Sequence, residues 1–200
     1  MTKTLQLICQ GVYHLRRMKH TLKYYLTHQV KHYAFYLGGD QPHVAWVERI
    51  RSVFGAFIGL MLVLTIAKYL GELGGIDEWL MASLGASALL VFALPQSPMA
   101  QPWAVIAGNT LSALVGVSII HVVNEPLIAM PLAASLSILG MFILRCLHPP
   151  AAAVAMIVVL GRVLHYRYAF FPVMVDSVLL IVAGAVYSNL TGKRYPNRPN

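Results

Sequence analysis

Between two apolar runs long enough to enter a bilayer, this chain carries Leu144-Arg145-Cys146-Leu147-His148-Pro149-Pro150-Ala151. In hydrocarbon, an unpaired backbone group or a charge is expensive. A cation, an imidazole and two consecutive prolines are therefore tolerated only where they face protein, a water-filled path or the interface. This break constrains the fold more than any other stretch, because whatever surrounds it has to shield it.

Composition supports a membrane setting. Hydrophobic residues make up 58% of the 200 and charged residues 11%, where a soluble domain is about one quarter charged. The apolar residues cluster in runs at 52–67, 102–120, 126–144 and 169–190, near the roughly 20 residues that span a bilayer. Two shorter apolar pieces lie at 79–94 and 151–160. The expected fold is an all-α polytopic membrane protein with four long transmembrane helices and two short ones, half-helices or re-entrant. Residues 51–190 form this domain, 1–50 a cytoplasmic arm and joint, and 191–200 a basic tail.

The net charge of +8 speaks to topology rather than to nucleic acid, and no nucleic-acid partner is expected. Eight of the fifteen Lys and Arg precede Ser52, and Lys193, Arg194 and Arg198 close the chain. Both ends should be cytoplasmic. Glu72, Asp77 and Glu78 follow the first run with no Lys or Arg among them, and Glu125 stands alone after the second, so these segments are expected outside. The expected location is a bacterial inner (plasma) membrane, crossed several times. Cys9 and Cys146 form no disulfide framework, and no cleavable signal precedes the first long apolar run.

The arm has its own pattern. Leu5, Ile8, Val12, Leu15, Leu22, Leu26, Tyr33 and Tyr36 occupy heptad core positions, with Arg16, Arg17, Lys23 and Lys31 on other faces. An amphipathic basic helix results. It suits an anionic lipid surface, a bundle of copies in a homo-oligomer, or packing on its own membrane domain. His28 and His32 are four apart but lack a third ligand, so no metal is expected. No motif implies a cofactor, and no Walker A pattern is present.

Residues 85–94 can be laid over 151–160, each piece lying between long runs, which makes a long, short, long repeat. If both short helices cross, the halves are inverted and Arg145 lies with the termini. If both are re-entrant, Arg145 joins Arg162 and Arg167 outside. Short, Pro-interrupted segments at matching places point to a transport site, since half-helix N-termini favour an anion. Pro149 and Pro150 suit the first turn of one, and Gly85 and Ser87 begin the other nearly bare of side chains. Arg145 adds charge and His148 a titratable ring, against a plain reading of interface snorkelling and capping. Asn109 and Asp176 are the remaining polar groups at membrane depth that packing explains least, although Asp176 suits a structural ion pair with Arg145, Lys68 or Arg162 equally well. Gly55 and Gly59 form a small-xxx-small helix contact.

Three ordered motifs carry a family resemblance: residues 85–102 with Pro95 and Pro102, Gly108-Asn109-Thr110 running to Gly116, and His148-Pro149-Pro150 after Arg145-Cys146-Leu147. Over about residues 51–161 the chain resembles the HPP family of integral membrane proteins. The resemblance implies a small polytopic protein with four transmembrane segments, in a family some of whose members are associated with nitrite transport. The basic arm is not part of that pattern.

The functional expectation is a channel or secondary transporter for a small inorganic anion, nitrite first. The alternative is a membrane-anchored assembly or sensor module acting through the basic helix. An intramembrane enzyme is disfavoured, because no metal spacing or Gly-x-Ser-x-Gly is present and neither Ser83 nor Ser87 has a base nearby in sequence.

Overall fold

A computed structural model describes residues 44–74 and 83–197. The basic heptad arm, with Cys9, His28 and His32, lies outside the described residues, as do 75–82 and 198–200. Among the described residues six α-helices follow in order: α1 Trp46–Leu73, α2 Leu84–Ala93, α3 Pro102–Ile120, α4 Pro126–Ile143, α5 Pro149–Leu160 and α6 Val175–Leu190. A 3-10 turn, Pro98–Ala100, precedes α3, and a π-helical turn, Ala169–Met174, leads into α6. Among the described residues there is no strand.

Proline sets where several of these helices begin. Pro102, Pro126 and Pro149 each stand at the first helical position, where the missing N–H would have had no partner and the fixed φ is already helical. Glu125 assists α4 by accepting from Leu127 N–H at 3.4 Å. The run at 169–190 is not one helix. Phe171 is extended at φ −135°, ψ 122°, so the regular helix starts only at Val175. At the other end of the domain α1 begins at Trp46, ahead of the apolar run, because Arg51 and Glu48 pair one turn apart and neutralise its polar start.

Three helices end the same way. Cys146 N–H bonds Met141 O, Val163 N–H bonds Val158 O, and Lys193 N–H bonds Ser188 O. The residue before each donor is left-handed: Arg145 (φ 53°), Arg162 (φ 50°) and Gly192 (φ 78°). These are Schellman endings, in which glycine is the unstrained choice. In Arg145 and Arg162 a side chain is kept at a backbone cost of about 1–2 kcal/mol each.

Contacts along the bundle set the helix directions. Phe92, at the end of α2, and Tyr187, near the end of α6, both meet Gly55 near the start of α1. Trp103 Nε1, at the start of α3, donates to Leu144 O just past the end of α4 at 3.1 Å. Gly108 and Gly116 of α3 face His148 and Ala155 respectively, so α5 runs parallel to α3. The six helices therefore alternate in direction, and the Trp46 end and the tail through Asn197 emerge on one side. Arg145 lies on that side, while Arg162 and Arg167 lie opposite. Each half holds a long, a short and a long helix, with opposed directions in the two halves. The re-entrant arrangement is thereby set aside. At 12 residues α5 is only about 18 Å long, and the extended stretch before it completes the passage.

The core is inverted relative to a soluble bundle. The buried stripe of α1 is Gly55, Gly59, Val63, Ala67 and Gly71, while Phe54, Phe57 and Met61 face outward, Phe57 at 63% exposure. Large apolar groups outside and small ones inside suit a lipid surround. Helices α1, α3, α4 and the segment Ala169–Leu190 are long and apolar enough to cross a membrane. The centre is built from α3 and α5, whose backbones approach closely. A Cβ on Gly108 would stand 2.9 Å from Cys146 O, and one on Gly116 2.8 Å from Ala155 O.

Candidate functional site

The extended backbone of His148 (φ −135°, ψ 101°) follows from the proline after it, which disfavours the helical region for its predecessor. That conformation turns the imidazole into the bundle, where it is fully buried. Its Nδ1 lies 2.8 Å from Met99 O, in the 3-10 turn, and its Nε2 lies 2.9 Å from Ser87 Oγ, in the first turns of α2. A carbonyl only accepts, so Nδ1 carries the proton. In the neutral ring Nε2 is then the acceptor, and the Ser87 hydroxyl donates to it. The heads of the two short helices thus meet through one side-chain bond. Gly108 stands against the His148 Cβ, roughly 9 Å in from the first residue of α3.

The two helix heads are not equivalent as anion sites. Pro149 and Pro150 have no N–H, and Ala151 N–H donates to His148 O at 2.9 Å. The first turn of α5 therefore offers no free backbone donor, contrary to the expectation from its sequence, and contributes only its dipole. Pro149 is exposed and Pro150 buried. At α2, Ser83 does not cap the helix, and its buried hydroxyl has no partner among the described residues. A Cβ on Gly85 in that first turn would meet no atom of the described residues within 4 Å. Backbone donors for an anion are thus to be sought on α2.

Arg145 is exposed, whereas the His148 ring is fully buried. The arginine lines a cavity of about 340 Å³ with Gln96, Gln101, Trp103 and Asn197. It also lines a second of about 280 Å³ with Met99, Met141 and Leu147. Met99 is thus shared: its side of the second cavity faces Arg145, and its carbonyl holds His148. The cation sits in an outer vestibule on the side of Trp46 and the tail, with the imidazole behind the 3-10 turn.

Asn109 is fully buried on α3, and its Nδ2 donates to Ser177 Oγ at 3.1 Å. Its Oδ1, like the hydroxyls of Ser112 and Ser137, has no partner among the described residues. The α6 turn that carries Ser177 also carries Asp176, buried as well, so the sequence candidates Asn109 and Asp176 come to adjoining helix turns. Lys68 lies 3.7 Å from Glu72. Gly55 and Gly59 accept the ring of Phe92, which meets Tyr187 edge-on at 5.9 Å, rather than a helix backbone.

Sequence reasoning gave the tail only its charge and residues 95–102 only a motif, and it missed the contact between them. Tyr195 is buried, and its hydroxyl donates to Ala100 O at 2.6 Å. No periodicity or motif marks a lone tyrosine in a basic terminal stretch. The base missing for Ser87 in the linear sequence is also present: it is His148, 61 residues away.

These features define a multi-pass helical membrane protein with a buried polar junction between two short helices. Residues 41–196 match the family described as HPP, transmembrane region, and the chain belongs to that family. Two curated proteins of Dictyostelium discoideum, both described as transmembrane proteins, are similar to it. One is 33% identical over 177 residues, covering 84% of this chain and 57% of its own length. The other is 32% identical over 192 residues, covering 90% of this chain and 67% of its own length. This chain thus spans little more than half of the first relative. No solved structure matches it.

Proposed function

We propose that the chain moves a small inorganic anion across a membrane as a channel or secondary transporter, with nitrite the first candidate, and that it is not an enzyme. The observation that carries this reading is the Ser87 to His148 bond, which joins the heads of two oppositely directed half-length helices inside the bundle. In transporters built from inverted halves, discontinuous helices meet at such a point and hold the substrate there. Arg145 in the vestibule raises the local anion concentration. Ser87, His148 and the open α2 head around Gly85 receive the ion, and the unpartnered polar atoms of Asn109 and Ser112 offer the next contacts. Although Ser87 and His148 resemble a nucleophile and its base, both are fully buried, which suits an occluded ion better than a bulky acyl substrate.

The terminal side carries Arg49, Arg51, Arg145, Lys193 and Arg194, and the opposite side Lys68, Arg162 and Arg167, which supports cytoplasmic termini. The location proposed is a bacterial inner membrane whose anionic lipids attract the basic arm. A domain this small encloses a path more readily as a homo-oligomer, and light scattering in mild detergent tests that assembly. The function is tested with purified protein in liposomes challenged with nitrite, nitrate, formate, chloride and a weak cation. Anion-dependent flux is expected, and its absence for every anion would overturn the reading.

A further inference from the structure

The described part of the tail is fastened at each step to something specific. Lys193 Nζ meets Glu48 Oε1 of α1 at 3.0 Å, and Asn189 Nδ2 of α6 donates to Tyr195 O at 2.9 Å. Farther along, Tyr195 and Asn197 bond to residues 95–101. Asn197 N–H donates to Gln101 Oε1 at 2.8 Å, and Asn197 Nδ2 to Pro95 O at 3.1 Å. Gln101 Nε2 in turn donates to Pro95 O and Ser97 O at 2.9 and 3.0 Å. Tyr195 inserts its ring into the main apolar cluster with Phe92, Val91 and Leu180, and its hydroxyl donates to Ala100 O.

We infer that the C-terminal tail is a latch for the polar junction, in which Tyr195 is a positioning residue that orients His148 through the Pro98–Ala100 turn. The argument rests on two consecutive carbonyls. Ala100 O is held by Tyr195 and Met99 O by His148 Nδ1. A three-residue 3-10 turn is too short to reorient one of these carbonyls without moving the other. A buried tyrosine hydroxyl has to find an acceptor, and burial pushes the Tyr195 pKa up, so the group remains a donor. With the hydroxyl removed, Ala100 O loses its partner inside a bundle where unsatisfied carbonyls are costly. The turn then rotates toward the adjoining vestibule lined by Pro98, Gln101 and Asn197. Met99 O leaves Nδ1, the ring is free to change tautomer, and Nε2 no longer has to accept from Ser87. The tail thereby sets which face the junction presents to an ion. This deepens the transport reading at the same site and rests on it only for the functional arm.

The test is nitrogen NMR on the full chain labelled with ¹⁵N-imidazole histidine. His148 is identified among the eight histidines by the signals that vanish in His148→Gln. Wild type should show His148 protonated at Nδ1 and bare at Nε2. Tyr195→Phe keeps the ring and removes only the hydroxyl, and it should introduce a population protonated at Nε2. Tyr187→Phe, which removes a bond to Arg51 O of 2.8 Å elsewhere, should leave the wild-type pattern. Asn197→Ala should shift His148 in the same direction as Tyr195→Phe but less, and it carries the test if Tyr195→Phe does not fold. In liposomes the nitrite flux of Tyr195→Phe should fall about fivefold, the scale of one hydrogen bond. An unchanged His148 spectrum in the folded variant overturns the inference whatever the flux. A changed spectrum with unchanged flux upholds the positioning role and instead counts against this junction as the transport site.

Discussion

The hydroxyl of Ser87 and Nε2 of His148 lie 2.9 Å apart, both fully buried, one on each of the two short helices. Through this contact the first half of the domain is tied to the second at the first turns of its two short helices. His148 hands its other nitrogen to Met99 O, so the ring is fixed from both sides.

Ser87→Ala leaves a buried ring nitrogen without a donor, a loss of about 1–3 kcal/mol. For a domain of this size that lowers Tm by roughly 2–4 °C per kcal/mol. Thermal denaturation in detergent should show the drop, and flux per folded molecule should fall with it. A variant as stable as wild type would mean that the bond contributes nothing.

Arg145 separates charge from backbone strain. Arg145→Gly removes the cation and relieves the left-handed conformation at φ 53°, so the protein should gain about 1 kcal/mol in stability. Arg145→Gln removes the cation and keeps the strain. Anion flux should fall by about tenfold in both, with Tm raised only in the glycine variant. If the glycine variant is more stable yet transports normally, the guanidinium has no part in attracting the ion.

At Gly59 a Cβ would collide with the Phe92 ring. Gly59→Ala should therefore destabilise the packing of α1 on α2 by about 1–3 kcal/mol, and combining it with Phe92→Leu should recover part of that loss. Denaturation midpoints of the two single variants and the double variant decide this. Strict additivity would show that the ring is not what occupies the space.

Topology is checked by single cysteines in a Cys9→Ser background, since Cys146 is fully buried. Cysteines placed at Arg145 and Arg194 should be protected from an impermeant reagent added outside, while those at Glu125 and Arg167 should be labelled. Labelling of Arg145 together with Arg167 would restore the re-entrant arrangement.

Much of the fold was legible because membrane helices are local objects. Runs of apolar residues mark α3 and α4, and Pro102, Pro126 and Pro149 stand where those helices and α5 start, each a consequence of backbone chemistry that does not depend on neighbours. The kink at Phe171 has a local cause that the apolar run concealed, the proline that follows it, and the start of α1 at Trp46 was less legible, since the Glu48 and Arg51 pair lies ahead of the apolar run.

The candidate site divides in the same way. His148, Ser87, Asn109 and Arg145 announce themselves as polar groups in apolar surroundings, and the sequence by itself determined that each had to be shielded or used. Which of them meet was decided only by the tertiary structure. The Ser87 to His148 bond spans 61 residues, and the Tyr195 to Ala100 bond spans 95. Whether the short helices cross also followed from packing. The glycines of α3 let α5 lie against its backbone, and the pairing of Gly108 with His148 and of Gly116 with Ala155 shows that α5 runs with α3, which leaves Arg145 on the side of Trp46 and the tail.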